Sequence, residues 1–275
     1  MVTQEQRKRQ LAREKFLRQQ QRRTSARRKA RMRNSVIASV LGVIVIGSVA
    51  LYTTGVLKND DDKSNASAAV TPTPSASATK KAPDPCAKPA AGKIKTETWK
   101  KEPAVTIDKS AKYTMKLATT CGDIDIALKT SAAPHTVNSF DFLAGKGFFD
   151  HTKCHRLTTS GIYVLQCGDP TGAGSGGPGY TIPDENLKDT SLKGGIYPAG
   201  TVAMANTGQK HTGGSQFFLV YKDSTLPASY TPFGTISASG MKVLNKIAAA
   251  GESTGAGDGA PNATVVINKA TVTKS

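Results

Sequence analysis

Aromatic residues make up only 6% of the chain and hydrophobic residues 38%, which excludes a chain that is apolar throughout. Its 26 glycines and 14 prolines mark many turns but follow no fixed period, so a fibrous repeat is excluded as well. Acids are scarce: 20 of them stand against 37 Lys and Arg, a formal charge of +17 that raises a nucleic acid or an anionic membrane as partner. That shortage is local. Residues 1–34 carry 13 Lys and Arg and two acids, Glu5 and Glu14, whereas the other 241 residues carry 24 and 18. The basic tail also lacks Pro and Gly, and its few apolar residues (Leu11, Phe16, Leu17) cannot bury a helix face.

Charge is absent altogether from Ser35 to Leu57, a run of 23 residues. As a helix rising 1.5 Å per residue, such a run crosses a hydrocarbon core of about 30 Å. Basic residues crowd its N-terminal side and Asp60, Asp61 and Asp62 follow it. The positive-inside rule then leaves the N-terminus in the cytoplasm, with one pass through the cell membrane and everything after Leu57 outside. The tail is explained by this topology and by attraction to anionic headgroups, which argues against a nucleic-acid partner. Ser48-Val49-Ala50 would also serve as a signal-peptide cleavage site, but the long basic region and the long run favour an uncleaved anchor. No cysteine follows the run, which argues against a lipoprotein anchor.

Residues 58–103 are rich in Ala, Ser, Thr, Pro and Lys with little to bury, and are expected to form a disordered tether. Residues 104–275 remain for one domain with a real core. Alternation predicts a hairpin from Tyr113–Leu117 and Asp123–Leu128. Pro134 opens a helix whose buried side is Val137, Phe140, Phe142 and Leu143, ending at Gly145. Further strands are expected at Lys153–Leu157, Tyr163–Cys167, Gly200–Asn206, Gln216–Tyr221 and Val265–Ile267, and a second helix at Met241–Ala250. Many strands around one core with two helices suggest a closed antiparallel barrel with helical caps.

Several motifs point to chemistry that their context removes. Gly172, Gly174 and Gly177 fit a phosphate-binding glycine pattern, but Pro178 and Pro183 follow where a helix should begin. His151 and His155 near Cys154 and Cys167 could suggest zinc, but spacing by four converges only on a helix and this segment reads as strand. Alternation there puts Cys154 and Arg156 on one face and His155 on the other. Cysteines 86, 121, 154 and 167 form an even set in a region placed outside the cytoplasm, where disulfides persist. Cys154 and Cys167 flank a strand–turn–strand unit and are the favoured pair, which leaves Cys86 with Cys121. A nucleophilic cysteine is disfavoured, because no His or Asn partner is evident. Of Phe217 and Phe218, alternation gives one to the core and one to a site.

Five stretches remain: Cys154-His155-Arg156-Leu157, Val164-Leu165-Gln166-Cys167-Gly168-Asp169, Gly200-Thr201-Val202-Ala203-Met204-Ala205-Asn206, Gly213-Gly214-Ser215-Gln216-Phe217-Phe218 and Phe233-Gly234. Their order and spacing, from about Tyr113 to Val272, resemble the cyclophilin family of peptidyl-prolyl isomerases in a membrane-anchored, extracytoplasmic bacterial form. The resemblance implies a mainly β fold, an eight-stranded closed antiparallel barrel capped by two helices. It implies a monomeric isomerase of proline-containing polypeptides that needs no cofactor and no metal. By resemblance Arg156 is the catalytic donor, and Gln166 fixes it and the substrate carbonyl. Tyr163, Val164, Phe218 and Leu226 would line a proline socket, and Ala205, Asn206, Thr207 and Gln216 would hold the residue before the proline.

The chain departs from the family pattern at the socket. Tyr163 replaces a Phe, Val164 a Met, Thr225 a Trp and Tyr230 a His, with two extra residues between Arg156 and Tyr163. Tyr230 still offers an apolar face and a hydroxyl. Loss of the Trp implies weak cyclosporin binding. The altered socket keeps a rival reading open, a non-catalytic module or holdase gripping proline-rich segments, whereas retention of Arg156, Gln166 and Phe218 favours an enzyme. Salt-sensitive RNA binding by the basic tail would support a third reading.

Overall fold

The protein is described here by a computed structural model covering residues 83–275. The basic tail, the expected membrane span at 35–57 and the tether as far as residue 82 lie outside the described residues. Among those described, no helix is long and apolar enough to cross a membrane.

The described strands are β1 (Tyr113–Thr119), β2 (Gly122–Leu128), β3 (Thr152–Lys153), β4 (Arg156–Thr158), β5 (Val164–Cys167) and β6 (Ile196–Tyr197). They continue with β7 (Thr201–Met204), β8 (Phe217–Val220), β9 (Ser224–Thr225), β10 (Pro232–Ile236), β11 (Asp258–Gly259) and β12 (Val266–Lys274). Two α-helices, α1 (Pro134–Gly145) and α2 (Ala238–Ala249), and a 3-10 turn at Lys193–Gly195 complete the described fold. Alternation along the first hairpin buries Tyr113, Met115 and Leu117 on β1 and Ile124, Ile126 and Leu128 on β2. The last strand is far longer than expected and pairs with β1 along its whole length, from Tyr113↔Lys274 to Thr119↔Ile267.

Ten strands form one curled antiparallel sheet in the order β11-β4-β5-β8-β7-β10-β2-β1-β12-β3, while β6 and β9 pair as a separate ribbon. The expected closed eight-stranded barrel is therefore corrected to an open sheet. The cause is a break in the expected strand 153–157. Cys154 N donates to Val265 O at 2.9 Å and His155 N to Gln166 O at 3.1 Å. The chain crosses from the neighbourhood of β12 to that of β5 within two residues, and no ladder joins the edge strands β3 and β11. The break also upsets the expected alternation: Cys154 and Leu157 both enter the core, and Arg156 faces the other way.

Helix α1 has Pro134 in its first turn and no cap from its own neighbours. Glu185 supplies one from a distant loop, its carboxylate accepting from His135 N at 3.0 Å and from Thr136 N at 2.9 Å. Phe140 from this helix packs on Phe149, Phe217 and Phe233 at ring distances of 5.2, 5.5 and 4.5 Å, the centre of the core. Helix α2 starts three residues earlier than expected because the Ser237 hydroxyl accepts from Gly240 N at 3.1 Å, and it buries Gly240, Leu244 and Ile247.

Residues 83–103, expected as the end of a disordered tether, instead follow a defined path along the domain. Cys86 is bridged to Cys121, and Ala87 N donates to Thr120 O at 2.8 Å. Ala90 N reaches the Asn268 side chain at 3.0 Å, and Lys95 Nζ the Lys146 carbonyl at 2.7 Å. Trp99, the only tryptophan in the chain, meets Phe142 edge-on at 5.1 Å and Phe148 at 6.0 Å. Phe142, expected on the buried side of α1, is only partly buried even with Trp99 packed against it. A composition with one cysteine and one tryptophan among many small residues conceals such a segment.

Candidate active site

Strand register assembles the centre of the site. Arg156 stands opposite Gln166, Gln166 opposite Phe218 and Phe218 opposite Ala203, one row across β4, β5, β8 and β7. Directly opposed residues share a face of the sheet. The adjacent row, Leu157, Leu165, Leu219 and Val202, turns to the opposite face and joins the main core. The outer row is floored by a second apolar cluster of Val164, Tyr197, Ala203, Phe218 and Val220. Alternation thus resolves the phenylalanine pair: Phe217 packs in the core and Phe218 in the site.

Over this cluster opens a socket of about 210 Å³ lined by Ile162, Val164, Phe218 and Leu226, with Arg156, Gln166, Ala205, Asn206 and Tyr230 at its rim. Tyr197, fully buried, donates its hydroxyl to Tyr230 O at 2.8 Å, and the Tyr230 ring stands edge-on to Phe218 at 5.4 Å. Asn206 is fixed by donating to Ser229 O at 2.8 Å. The polar side is one chain of side chains: Arg156 donates to Gln166 Oε1 at 3.1 Å, Gln166 to Gln216 Oε1 at 2.9 Å, and Gln216 to Gly176 O at 2.9 Å.

The profile of the family described as cyclophilin type peptidyl-prolyl cis-trans isomerase/CLD matches residues 114–272, more than half of the chain. The chain belongs to the cyclophilin family. A Mycobacterium leprae protein named probable peptidyl-prolyl cis-trans isomerase B is 47% identical over 195 residues, 68% of this chain and 62% of its own length. Its Mycobacterium tuberculosis counterpart is 46% identical over 195 residues, 68% of this chain and 59% of its own. The chain thus spans about three fifths of these mycobacterial relatives. A Helicobacter pylori peptidyl-prolyl cis-trans isomerase is 38% identical over 156 residues, 56% of this chain and 88% of that protein.

Not every residue expected at the site lines the socket. Tyr163 is not in the socket. It lies just before β5, edge-on to Tyr221 at 5.8 Å and under Lys222 Nζ at 4.6 Å, and Ile162 lines the socket instead. Val164 and Gln166 share a face of β5, while Ile162 lies in the bend before it, outside the expected strand, where the period of two gives no guide. Thr207 and Gln216 line a larger cavity beside the socket, with Gln166, Ala205 and Asn206 shared between the two. Thr225 is exposed on the β6–β9 ribbon, while its neighbour Ser224 is buried and accepts from Tyr163 N at 2.9 Å.

The sequence gives no hint of Asp258, which β11 brings beside β4. Its two oxygens accept from Arg156 Nε and NH2, both at 2.7 Å. This hydrogen-bonded pairing pushes the guanidinium pKa further up and holds the Asp258 carboxyl below its ordinary value. A guanidinium has five N–H donors, so one N–H on each terminal nitrogen stays without a protein partner among the described residues.

Both disulfides join the expected cysteines, Cys154 to Cys167 and Cys86 to Cys121. Bonded to each other, Cys154 and Cys167 have no thiolates for a metal, and among the described residues no cluster of three His, Cys, Asp or Glu could hold one. The glycine loop gives no phosphate cradle, since Asp169 already accepts from Thr171, Gly174 and Ser175 N at 2.7, 2.6 and 3.0 Å. Burial would raise the Asp169 carboxyl, but bonds from Thr171, Gly174 and Gly176 outweigh it and keep it low. The preceding Gly168 has φ of +88°, and a Cβ there would stand 2.2 Å from Ser215 O, so only glycine fits.

Proposed function

We propose that the chain is a peptidyl-prolyl cis-trans isomerase acting on proline-containing polypeptides. The observation that carries this reading is a guanidinium fixed on three sides at the rim of an apolar socket, with free N–H groups left over. Rotation about a peptide bond faces a barrier of about 18–20 kcal/mol because the nitrogen lone pair is delocalised into the carbonyl. A proline ring seated against Val164, Phe218 and Leu226 anchors one side of the bond. As the amide twists, the prolyl nitrogen regains its lone pair and becomes an acceptor, so a donor such as Arg156 binds the twisted amide better than the planar one. Gln166, held by Gln216, keeps Arg156 in place, and the bond rotation itself needs no nucleophile and no proton transfer.

The test is isomerisation of a short X-Pro peptide by the full-length chain and by Arg156→Ala. The wild type should accelerate exchange, and the variant should lose about 100-fold in kcat/KM. Binding without acceleration by the wild type would leave a proline-binding module instead.

The cyclophilin domain is further read as extracytoplasmic and anchored through residues 35–57, with clients among secreted or envelope proteins. The uncharged run, the basic residues before it and the three aspartates after it support this topology, and two disulfides suit an oxidising compartment. Protease added outside intact cells should remove the domain while a tag ahead of residue 1 survives. Protection of the domain in intact cells would refute the topology.

A further inference from the structure

A second cavity, of about 910 Å³, adjoins the socket and shares Gln166, Ala205 and Asn206 with it. An extended peptide advances about 3.3–3.6 Å per residue. The side chains within two or three residues of a proline held in the socket are therefore within reach of this cavity. Part of its wall comes from outside the family match: Lys100, Lys101 and Glu102 belong to the strap, not to residues 114–272.

The strap is seated there by specific fits. Trp99 N donates to Pro178 O at 2.8 Å, and the Trp99 ring lies against Phe142 and Phe148. Gly179, with φ of +87°, leaves room for the strap, since a Cβ would stand 2.8 Å from Trp99 O and 2.9 Å from Thr98 Cβ. The backbone that carries the two lysines is thus fixed against the cavity.

The charge left open there is positive. Lys100 and Lys101 are exposed and make no ion pair among the described residues. Glu102, the only acid in the lining, is held at 2.7 Å by His135 Nδ1. Asp169 behind the wall is turned onto the amides of its own loop. Complementary charge favours a partner of the opposite sign.

We infer that this cavity is a subsite for an acidic side chain within two or three residues of the isomerised proline, selected by Lys100 and Lys101. The inference rests on the isomerase reading for its substrate. The test compares pairs of proline peptides carrying Glu or Gln at each of three positions before and after the proline. Exchange is followed by NMR with the full-length chain and with a Lys100→Glu/Lys101→Glu variant, and Trp99 emission checks that the strap stays docked. At one position at least, the wild type should favour Glu over Gln by about threefold in kcat/KM, the size of one or two partly exposed ion pairs. The preference should shrink as salt is raised and invert in the variant. Equal rates for Glu and Gln at every position, or a preference that survives charge reversal, would overturn the inference. If the wild type isomerises none of the peptides, the isomerase reading fails by itself. Calorimetric affinities of the same pairs then decide the subsite: a Glu preference of about threefold supports it, and equal or absent binding overturns it.

Discussion

Asp258 presents both carboxylate oxygens to one guanidinium, yet its side chain is 54% exposed and that of Arg156 37%, so the pair adds little to stability. Its effect is geometric. A two-point contact fixes the plane of the fork, and a displacement of even one ångström at a reacting centre is costly. Asp258→Ala should therefore lower kcat/KM by about tenfold, mostly in kcat, with almost no change in melting temperature. Asp258→Asn, which keeps one acceptor but turns an amide donor toward the second guanidinium N–H, should recover only a small part of the loss. Full activity in the alanine variant would remove the positioning role. The sign with pH follows from the lowered Asp258 value: the pair is fully formed above the ordinary carboxylate pKa of about 4 and is lost only as pH falls through the lower folded value. No step in activity between pH 5 and 8 should trace to Asp258. Arg156, Gln166 and Phe218 were legible because each sits in a compact sequence motif. Asp258 lies 102 residues from Arg156 in a glycine-rich stretch, and only the pairing of β11 with β4 joins them.

At the scale of elements, β4 and β5 carry Arg156 and Gln166, and the Cys154–Cys167 bridge fastens the start of one to the end of the other across 13 residues. Both sulfurs are buried on the core side, away from the socket. Replacing both cysteines with serine should lower the unfolding free energy by about 3 kcal/mol, read from denaturant midpoints, because the unfolded loop regains its freedom. An unchanged midpoint would mean that packing alone holds the pair of strands. Long elements were readable before any coordinates: the first hairpin from its period of two, α1 from Pro134, α2 from the spacing of Leu244 and Ile247. The two-residue strands β3, β6, β9 and β11 are too short for any period to register. They are also what sets the sheet's open seam and the ribbon under Leu226, so the closed barrel was the natural misreading.

For the molecule as a whole, the strap alters what counts as the functional unit. The family match begins at residue 114, but residues 83–103 bridge to Cys121, pack on Phe142 and wall the cavity beside the socket. Their backbone joins no regular ladder, so the strap is held by the bridge, by Trp99 and by scattered hydrogen bonds such as those of Ala87, Ala90 and Lys95. In the chain-entropy account a bridge across 35 residues contributes up to about 4 kcal/mol, more than the shorter Cys154–Cys167 loop. Cys86→Ser with Cys121→Ser should therefore release the strap before the domain unfolds. Trp99, as the only tryptophan, reports this directly. In the double variant its emission should shift to the red at denaturant concentrations where far-ultraviolet circular dichroism is still native, whereas in the wild type the two signals should change together. Coincident transitions in both proteins would show that Trp99 against Phe142 and Phe148 suffices to dock the strap. Because Lys100 and Lys101 follow Trp99 directly, early release would loosen one wall of the cavity while leaving Arg156 and the socket floor intact. Peptides that fill only the socket should then react as before, and those long enough to reach the strap should lose ground.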